Sequence, residues 1–167
     1  MRIIGGAWRR RSLLPPASYH IRPTADRARE SLFNILDNAR DYSDWPLENP
    51  TVLDIFAGTG ALGLEALSRG AGRAVFIDDN ARSIATVRRN IRALAATDRT
   101  TVLQRDATQP GPSITSASLV FVDPPYRLGL AEKAISAFAE TGWFNSGALV
   151  IIEAEATESI IPPGGFT

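Results

Sequence analysis

The stretch Thr51-Val52-Leu53-Asp54-Ile55-Phe56-Ala57-Gly58-Thr59-Gly60-Ala61-Leu62-Gly63 decides the fold. Residues 52–56 form a short apolar run with the character of a buried strand. Residues 57–61 are a glycine-rich loop, and residues 62–69 read as a helix stopped by Gly70 and Gly72. The same alternation continues outward. Residues 74–77 read as a second strand, ending in Asp78-Asp79. Residues 81–95 predict a long helix with Ile84, Val87, Ile91 and Leu94 on one face. Residues 101–103 predict a third strand before Asp106, and residues 117–122 a fourth before Asp123. A helix over 131–141 and a fifth strand over 148–152 complete the pattern. Strands alternating with helices imply an α/β fold with a doubly wound, mostly parallel sheet. Ligands of such sheets bind at the carboxyl ends of the strands. Asp54, Asp78, Asp106 and Asp123 stand there, four carboxylates on one rim.

The fourth strand runs into Asp123-Pro124-Pro125-Tyr126. Two prolines supply no backbone N–H and fix φ, so the chain leaves the sheet in a rigid turn. Their carbonyls are left to accept hydrogen bonds from outside the chain. Acceptors in a row beside a flat ring suit a planar substrate with an amino group: the acceptors hold the amine and the ring stacks on the heterocycle. The corner resembles the Asp/Asn-Pro-Pro-Tyr/Phe signature of amino-methyltransferases, which methylate exocyclic amines of nucleic-acid bases or side-chain amides. The other reading of the tetrapeptide is a strand-ending turn with an ordinary Tyr.

At 167 residues, with 44% hydrophobic and 22% charged residues, the chain predicts one soluble domain with a real core. No apolar run approaches the roughly 20 residues needed to span a bilayer, and no signal-peptide core opens the chain. With no cysteine and a single histidine, His20, neither disulfides nor a metal centre is expected. A cytoplasmic protein is expected. Net charge is zero, but residues 1–30 carry seven arginines against Asp26 and Glu30. Residues 1–16 read as a small β-hairpin or arm, bent at Gly5-Gly6. Trp8 beside Arg9, Arg10 and Arg11 fits phosphate and base contact. It equally fits a solvated edge hairpin with Trp8 packed on the domain. Thr24 then reads as the N-cap of a helix whose apolar stripe is Ala28, Leu32, Phe33, Ile35 and Leu36. Residues 39–50 read as a connecting loop. The organisation expected is an extension over residues 1–38 and a core over 51–167.

Gly58-x-Gly60-x-x-Gly63, with an acid 20 residues after Gly58, matches the dinucleotide-binding fingerprint. Asp54 argues otherwise. A carboxylate inside the strand would repel a pyrophosphate but suits a cationic amino-acid moiety. The Asp-Pro-Pro-Tyr corner also has no role in hydride transfer. Asp54-x-Phe56-x-Gly58-x-Gly60 resembles motif I of class I S-adenosylmethionine-dependent methyltransferases. That resemblance implies S-adenosylmethionine as cofactor, with Asp54 and the loop residues Phe56, Ala57, Gly58 and Gly60 against its methionine part. Asp78, next to Asp79, would take both ribose hydroxyls, since a carboxylate accepts two donors. Asp106 with Ala107 would meet the adenine amine.

Four stretches carry a closer resemblance: Arg2-Ile-Ile-Gly-Gly-x-Trp8-Arg-x-Arg11, Arg22-Pro-Thr24-x-Asp-Arg27-x-Arg29-Glu-x-Leu-Phe-Asn34, residues 54–70, and Phe121-Val-Asp-Pro-Pro-Tyr126. Together they resemble the RsmD family, enzymes that methylate the exocyclic amine of one guanine in bacterial 16S ribosomal RNA on an assembling small subunit. The resemblance implies that Thr24 joins the cofactor set and that Arg2, Trp8, Arg9, Arg10, Arg11 and Arg22 meet the RNA. It implies a flipped guanine stacked on Tyr126, its amine held by Asp123 and the Pro124 carbonyl, with Pro125 completing the corner. A monomer is expected. Two departures stand out: Asp78 replaces the usual Glu, and the chain stops at Thr167, leaving the family's final antiparallel strands missing or incomplete. A DNA amino-methyltransferase would need a sizeable target-recognition region, for which there is no room. The intact carboxylate set argues against an RNA-binding assembly factor that has lost catalysis, while the short C-terminus keeps that alternative open.

Overall fold

A computed structural model of the chain describes residues 1–15, 23–39, 49–125 and 129–166, without the side chains of residues 23–26. The sequence-predicted roles of Arg22 and Tyr126, and His20 with most of the loop over 39–50, lie outside the described residues.

The described elements run α1 (Pro23–Asn38), β1 (Thr51–Ile55), α2 (Ala61–Ser68), β2 (Arg73–Asp78), α3 (Ala81–Ala93), β3 (Thr100–Gln104), β4 (Ala117–Val122), α4 (Leu130–Glu140) and β5 (Phe144–Ile152). The sheet order is β3-β2-β1-β4-β5, and every pairing is parallel. The chain therefore builds outward from β1 in one direction, then returns to its other side at β4. The carboxyl ends of β1 and β4 form the topological switch point. β1 is buried from Val52 to Ile55 because both faces of a parallel sheet are covered. Val52, Phe76 and Phe121 pack with α1, α2 and α3; Leu53, Ile55, Val75, Ile77, Val120 and Val122 pack with α4. Helices thus cover both faces, as expected. No helix among the described residues is long and apolar enough to cross a membrane.

The N-terminal arm is a hairpin held by one antiparallel bridge, Arg2 to Ser12, rather than by paired strands. A 3₁₀ turn over Gly6–Trp8 occupies its tip. The tip sits against α2 so closely that a Cβ on Gly6 would lie 1.9 Å from the Ser68 carbonyl oxygen. What holds it there is Glu65, which is 0% exposed. Its carboxylate accepts the backbone N–H groups of Ile4 (2.8 Å) and Gly5 (2.7 Å) and the Arg69 Nε–H (2.8 Å). The Arg29 guanidinium of α1 lies 3.8 Å away. Ser68 adds two bonds, accepting from Trp8 N and donating to the Gly5 carbonyl.

Several expectations change in detail. Thr24 is the second residue of α1, not its cap; Pro23 precedes it inside the helix, where its missing N–H costs nothing. The buried face of α1 is Arg29, Phe33 and Leu36, whereas Ala28 and Ile35 are exposed, Ile35 by 66%. A charged residue takes the core-facing position because Glu65 awaits it. β5 begins at Phe144, four residues earlier than predicted. Its polar Asn145-Ser146-Gly147 segment bulges out between the Ala117–Phe144 and Leu119–Leu149 pairs, which hides the strand from an apolar-run reading. Beyond Ile152 the described residues form no further strand; the tail folds back instead, placing Phe166 edge-on to Phe144.

Glu65→Ala should cost about 3–5 kcal/mol, because it strips two amides and a buried guanidinium of their acceptor at once. Urea unfolding measures this; a loss under about 1 kcal/mol would mean that the arm is held by apolar contacts alone.

Candidate active site

At the switch point β1 opens into the glycine loop. Phe56 leaves the strand with φ 63°, a left-handed conformation rare for a bulky residue. Ala57 N then bonds the Ile77 carbonyl (3.0 Å) and Gly58 N bonds Asp78 Oδ2 (2.8 Å), so β2 shapes the loop. Gly60, at φ 76°, forms the N-cap of α2. Gly63 is demanded by space: a Cβ there would meet the Phe76 ring at 2.5 Å. This close approach lets Asp54 Oδ2 accept the Gly63 N–H at 2.9 Å, inside the first turn of α2.

Asp54 is 1% exposed and paired in register with Phe76 and Phe121. Burial between apolar neighbours pushes its carboxyl up to about 8, against the Gly63 hydrogen bond, with Asp123 and Asp78 adding repulsion. Asp123 follows β4 directly; burial, then the nearby Glu153 charge, raises it to about 7. Both acids line one cleft of about 510 Å³, a size suited to a small-molecule ligand. Phe56, Ala57, Gly58 and Thr59 form its glycine-loop wall, while Ala28, Arg29 and Leu32 come from α1. Met1 reaches in from the arm, its sulfur accepting from the Thr59 hydroxyl at 3.3 Å.

The structure thus brings Asp54, Phe56, Ala57, Gly58 and Asp123 together. Pro124 is buried and Pro125 exposed just beyond Asp123. Asp78, Asp79, Asp106 and Ala107 do not line this cleft. They continue the same rim toward β3. Asp78 already accepts from Gly58 N and Asn80 N. Asp79 is exposed. Asp106 caps a local turn by accepting the Thr108 N–H and hydroxyl, which lowers its carboxyl pKa, while Ala107 is buried in the α4-side core. In the arm, Trp8 packs on the core with the Arg99 guanidinium 5.1 Å over its ring. Arg11 donates to the Ala93 carbonyl at 2.7 Å. Glu153 was missed, although it follows a strand as the four predicted acids do, and it lines the cleft beside Asp123. Arg29, Leu32 and Met1 carry no local signal for a place in the cleft.

Because folded Asp54 keeps its proton to about 8 and the unfolded chain loses it near 3.8, stability from this group is fully present below about 4 and is lost as pH rises toward 8. Asp54→Asn, which can still accept from Gly63, should abolish a decline approaching about 1.4 kcal/mol per pH unit across that window. Denaturant unfolding at stepped pH measures it; a mutant with the wild-type pH slope would refute the assignment.

The chain matches the family called Conserved hypothetical protein 95 over residues 1–167. Ribosomal RNA small subunit methyltransferase D of Escherichia coli K12 is 39% identical over 160 residues, covering 96% of this chain and 77% of the relative. The solved structure of Escherichia coli yhhF superimposes with a TM-score of 0.82 at 38% identity, covering 100% of this chain and 88% of that one. A Thermus thermophilus 16S rRNA N2 methyltransferase, solved with AdoMet and guanosine, shares the fold alone, at 20% identity and a TM-score of 0.61. A match along its whole length, on a sheet whose switch point carries the cleft just described, means that this chain belongs to the Conserved hypothetical protein 95 family, the family of ribosomal RNA small subunit methyltransferase D.

Proposed function

We propose that the chain transfers a methyl group from S-adenosylmethionine to the exocyclic amine of a guanine in 16S ribosomal RNA, acting as a cytoplasmic monomer on an assembling small subunit. The observation that carries this reading is the pair of raised carboxyls, Asp54 and Asp123, in one cleft with the glycine loop. Burial holds Asp54 and the half-buried Asp123 off ionisation, and a cationic ligand beside Asp54 would favour its charged form. The rim from β4 across β1 and β2 to β3 covers three strand spacings, roughly 14 Å. An amino acid joined to a nucleoside has about that length. Asp54 and the loop would hold the ammonium end, Asp78 the ribose, and Asp106 with Ala107 the adenine. Thr24 on α1 and Asp79 beside Asp78 complete the set proposed for the cofactor.

When bound, S-adenosylmethionine supplies an electrophilic methyl group on a cationic sulfur. The residues beside it have to place the amine and dispose of its proton. Asp123 and the Pro124 carbonyl accept from the amine and orient its lone pair; Pro125 stiffens the turn, and Tyr126 stacks on the base. Transfer would break the bond between sulfur and the methyl carbon, leaving its electron pair on the now neutral sulfur, and the nitrogen that gains the methyl would shed one proton. Asp123, ionising near 7, is matched to receive it at neutral pH.

Methyl transfer to 16S rRNA should therefore rise with pH through an apparent pKa near 7, since Asp123 must be ionised to accept. Asp123→Asn should lower turnover about 100-fold or more and flatten the profile, leaving cofactor affinity in place. Radiolabelled methyl incorporation across pH 5.5 to 9 is the measurement, and wild-type turnover by Asp123→Asn would overturn the role of this acid.

A further inference from the structure

The cleft holds an acid to which the chemistry above gives no part. Glu153 follows β5 as Asp123 follows β4, and both line the cleft. The sheet places them. β4 and β5 pair in parallel, with Phe121 against Ile151 and Val122 against Ile152. The ladder runs one residue further on both strands. Asp123 N–H bonds the Ile55 carbonyl at 3.3 Å, and Glu153 N–H bonds the Val122 carbonyl at 2.9 Å. The next pair in register is therefore Asp123 and Glu153. Neighbours in register share a face of the sheet, and alternation gives this pair the face of Phe121 and Ile151. Both of those side chains also line the cleft. Two strands about 4.8 Å apart thus carry two carboxylates side by side, next to the place where the target base has to sit.

Two adjacent acceptors match one base edge in particular. The Watson–Crick edge of guanine presents N1–H and the exocyclic amine together, both of them donors. Adenine sets its amine beside a bare N1, and cytosine beside a bare N3; either lone pair would lie against a carboxylate, which accepts and cannot donate. The contact between the two acids points the same way. After burial, it is the Glu153 charge that raises Asp123, and a base donating to both would offset that repulsion. The other charged groups lining the cleft among the described residues are engaged by the fold: Asp54 of β1 accepts from Gly63 N, and Arg29 of α1 holds the Arg2 carbonyl. We propose that Glu153 selects the target base, its carboxylate accepting the N1–H of guanine while Asp123 accepts from the amine. The inference rests on the guanine-methyltransferase reading above and adds the group that tells guanine from other bases bearing an amine.

The test uses the full chain and ligated 16S rRNA transcripts carrying guanine or 2-aminopurine at the nucleotide that the wild-type protein methylates. 2-Aminopurine keeps the exocyclic amine and turns N1 into an acceptor. Methyl transfer is read as kcat/KM at about pH 8.5, above the range in which Asp123 takes up its proton. Glu153→Gln, whose amide can donate to that acceptor, should narrow the preference for guanine by roughly 10- to 150-fold, the worth of one hydrogen bond to a charged group. The loss of guanine O6 is common to both proteins and cancels in the comparison. Glu153 is exposed, so the amide should leave the fold intact. A pH profile separates selection from a purely electrostatic role. Removing the charge beside Asp123 lowers the apparent pKa of transfer in either case, with Asp54 and Arg29 still present. A shifted profile with an unnarrowed preference would make Glu153 a neighbour of Asp123 and nothing more, and would overturn the selection. Wild-type transfer with an unnarrowed preference in the variant defeats this inference alone. Absence of wild-type transfer to any 16S rRNA defeats the activity, and the selection with it.

Discussion

The buried carboxylate of Glu65 is the constraint on which the arrangement of arm and cleft depends. A charge with no solvent access is tolerable only when its partners are present together. Its partners come from three places: the amides of Ile4 and Gly5 in the arm, Arg69 on α2, and Arg29 on α1. None of the three elements can shift without exposing the others to an unmatched charge. Asn90 of α3 repeats the arrangement from the opposite side. It accepts from Leu14 N at the end of the arm and donates to the Thr59 carbonyl in the glycine loop. The arm is therefore clamped between the two helices that flank that loop, and is an integral part of the domain.

The clamp explains how an excursion of about a dozen residues comes to line a cleft built by the sheet. Met1 is positioned by the Leu13 N–H on its carbonyl, and its side chain meets Thr59. Arg29 contributes twice, approaching Glu65 with one nitrogen and holding the Arg2 carbonyl with another. Interactions that stabilise the fold and interactions that shape the site are here the same bonds. The rim itself runs the other way. Asp54 and Asp123 are kept in surroundings that disfavour their charge, a local cost of the kind that accumulates where a ligand is expected to supply what is missing.

Much of the architecture is determined by the sequence alone, because it is encoded locally. Strand runs, glycine stops and helical stripes repeat within windows of ten or fifteen residues, and acids placed directly after strands must emerge on one rim of a parallel sheet. Asp54, Phe56, Gly58 and Asp123 were legible for that reason. Glu153 obeys the same rule and was readable by it. The early half of β5 was not, since its polar residues bulge from the ladder and break the apolar run.

Only the tertiary structure decided which charges are spent and which remain available. Glu65 looks in sequence like an ordinary helical acid, yet its backbone partners lie 61 and 60 positions away. Arg9, Arg10 and Arg11 are indistinguishable as letters, but packing commits Arg11 to the end of α3 and leaves the other two on a groove with Arg27. Trp8, readable as a stacking surface or as a packed ring, lies under Arg99 because the arm folds back over the domain. Local composition states what a side chain can do; long-range packing, which closes the chain on itself through a few buried charges, settles what it faces.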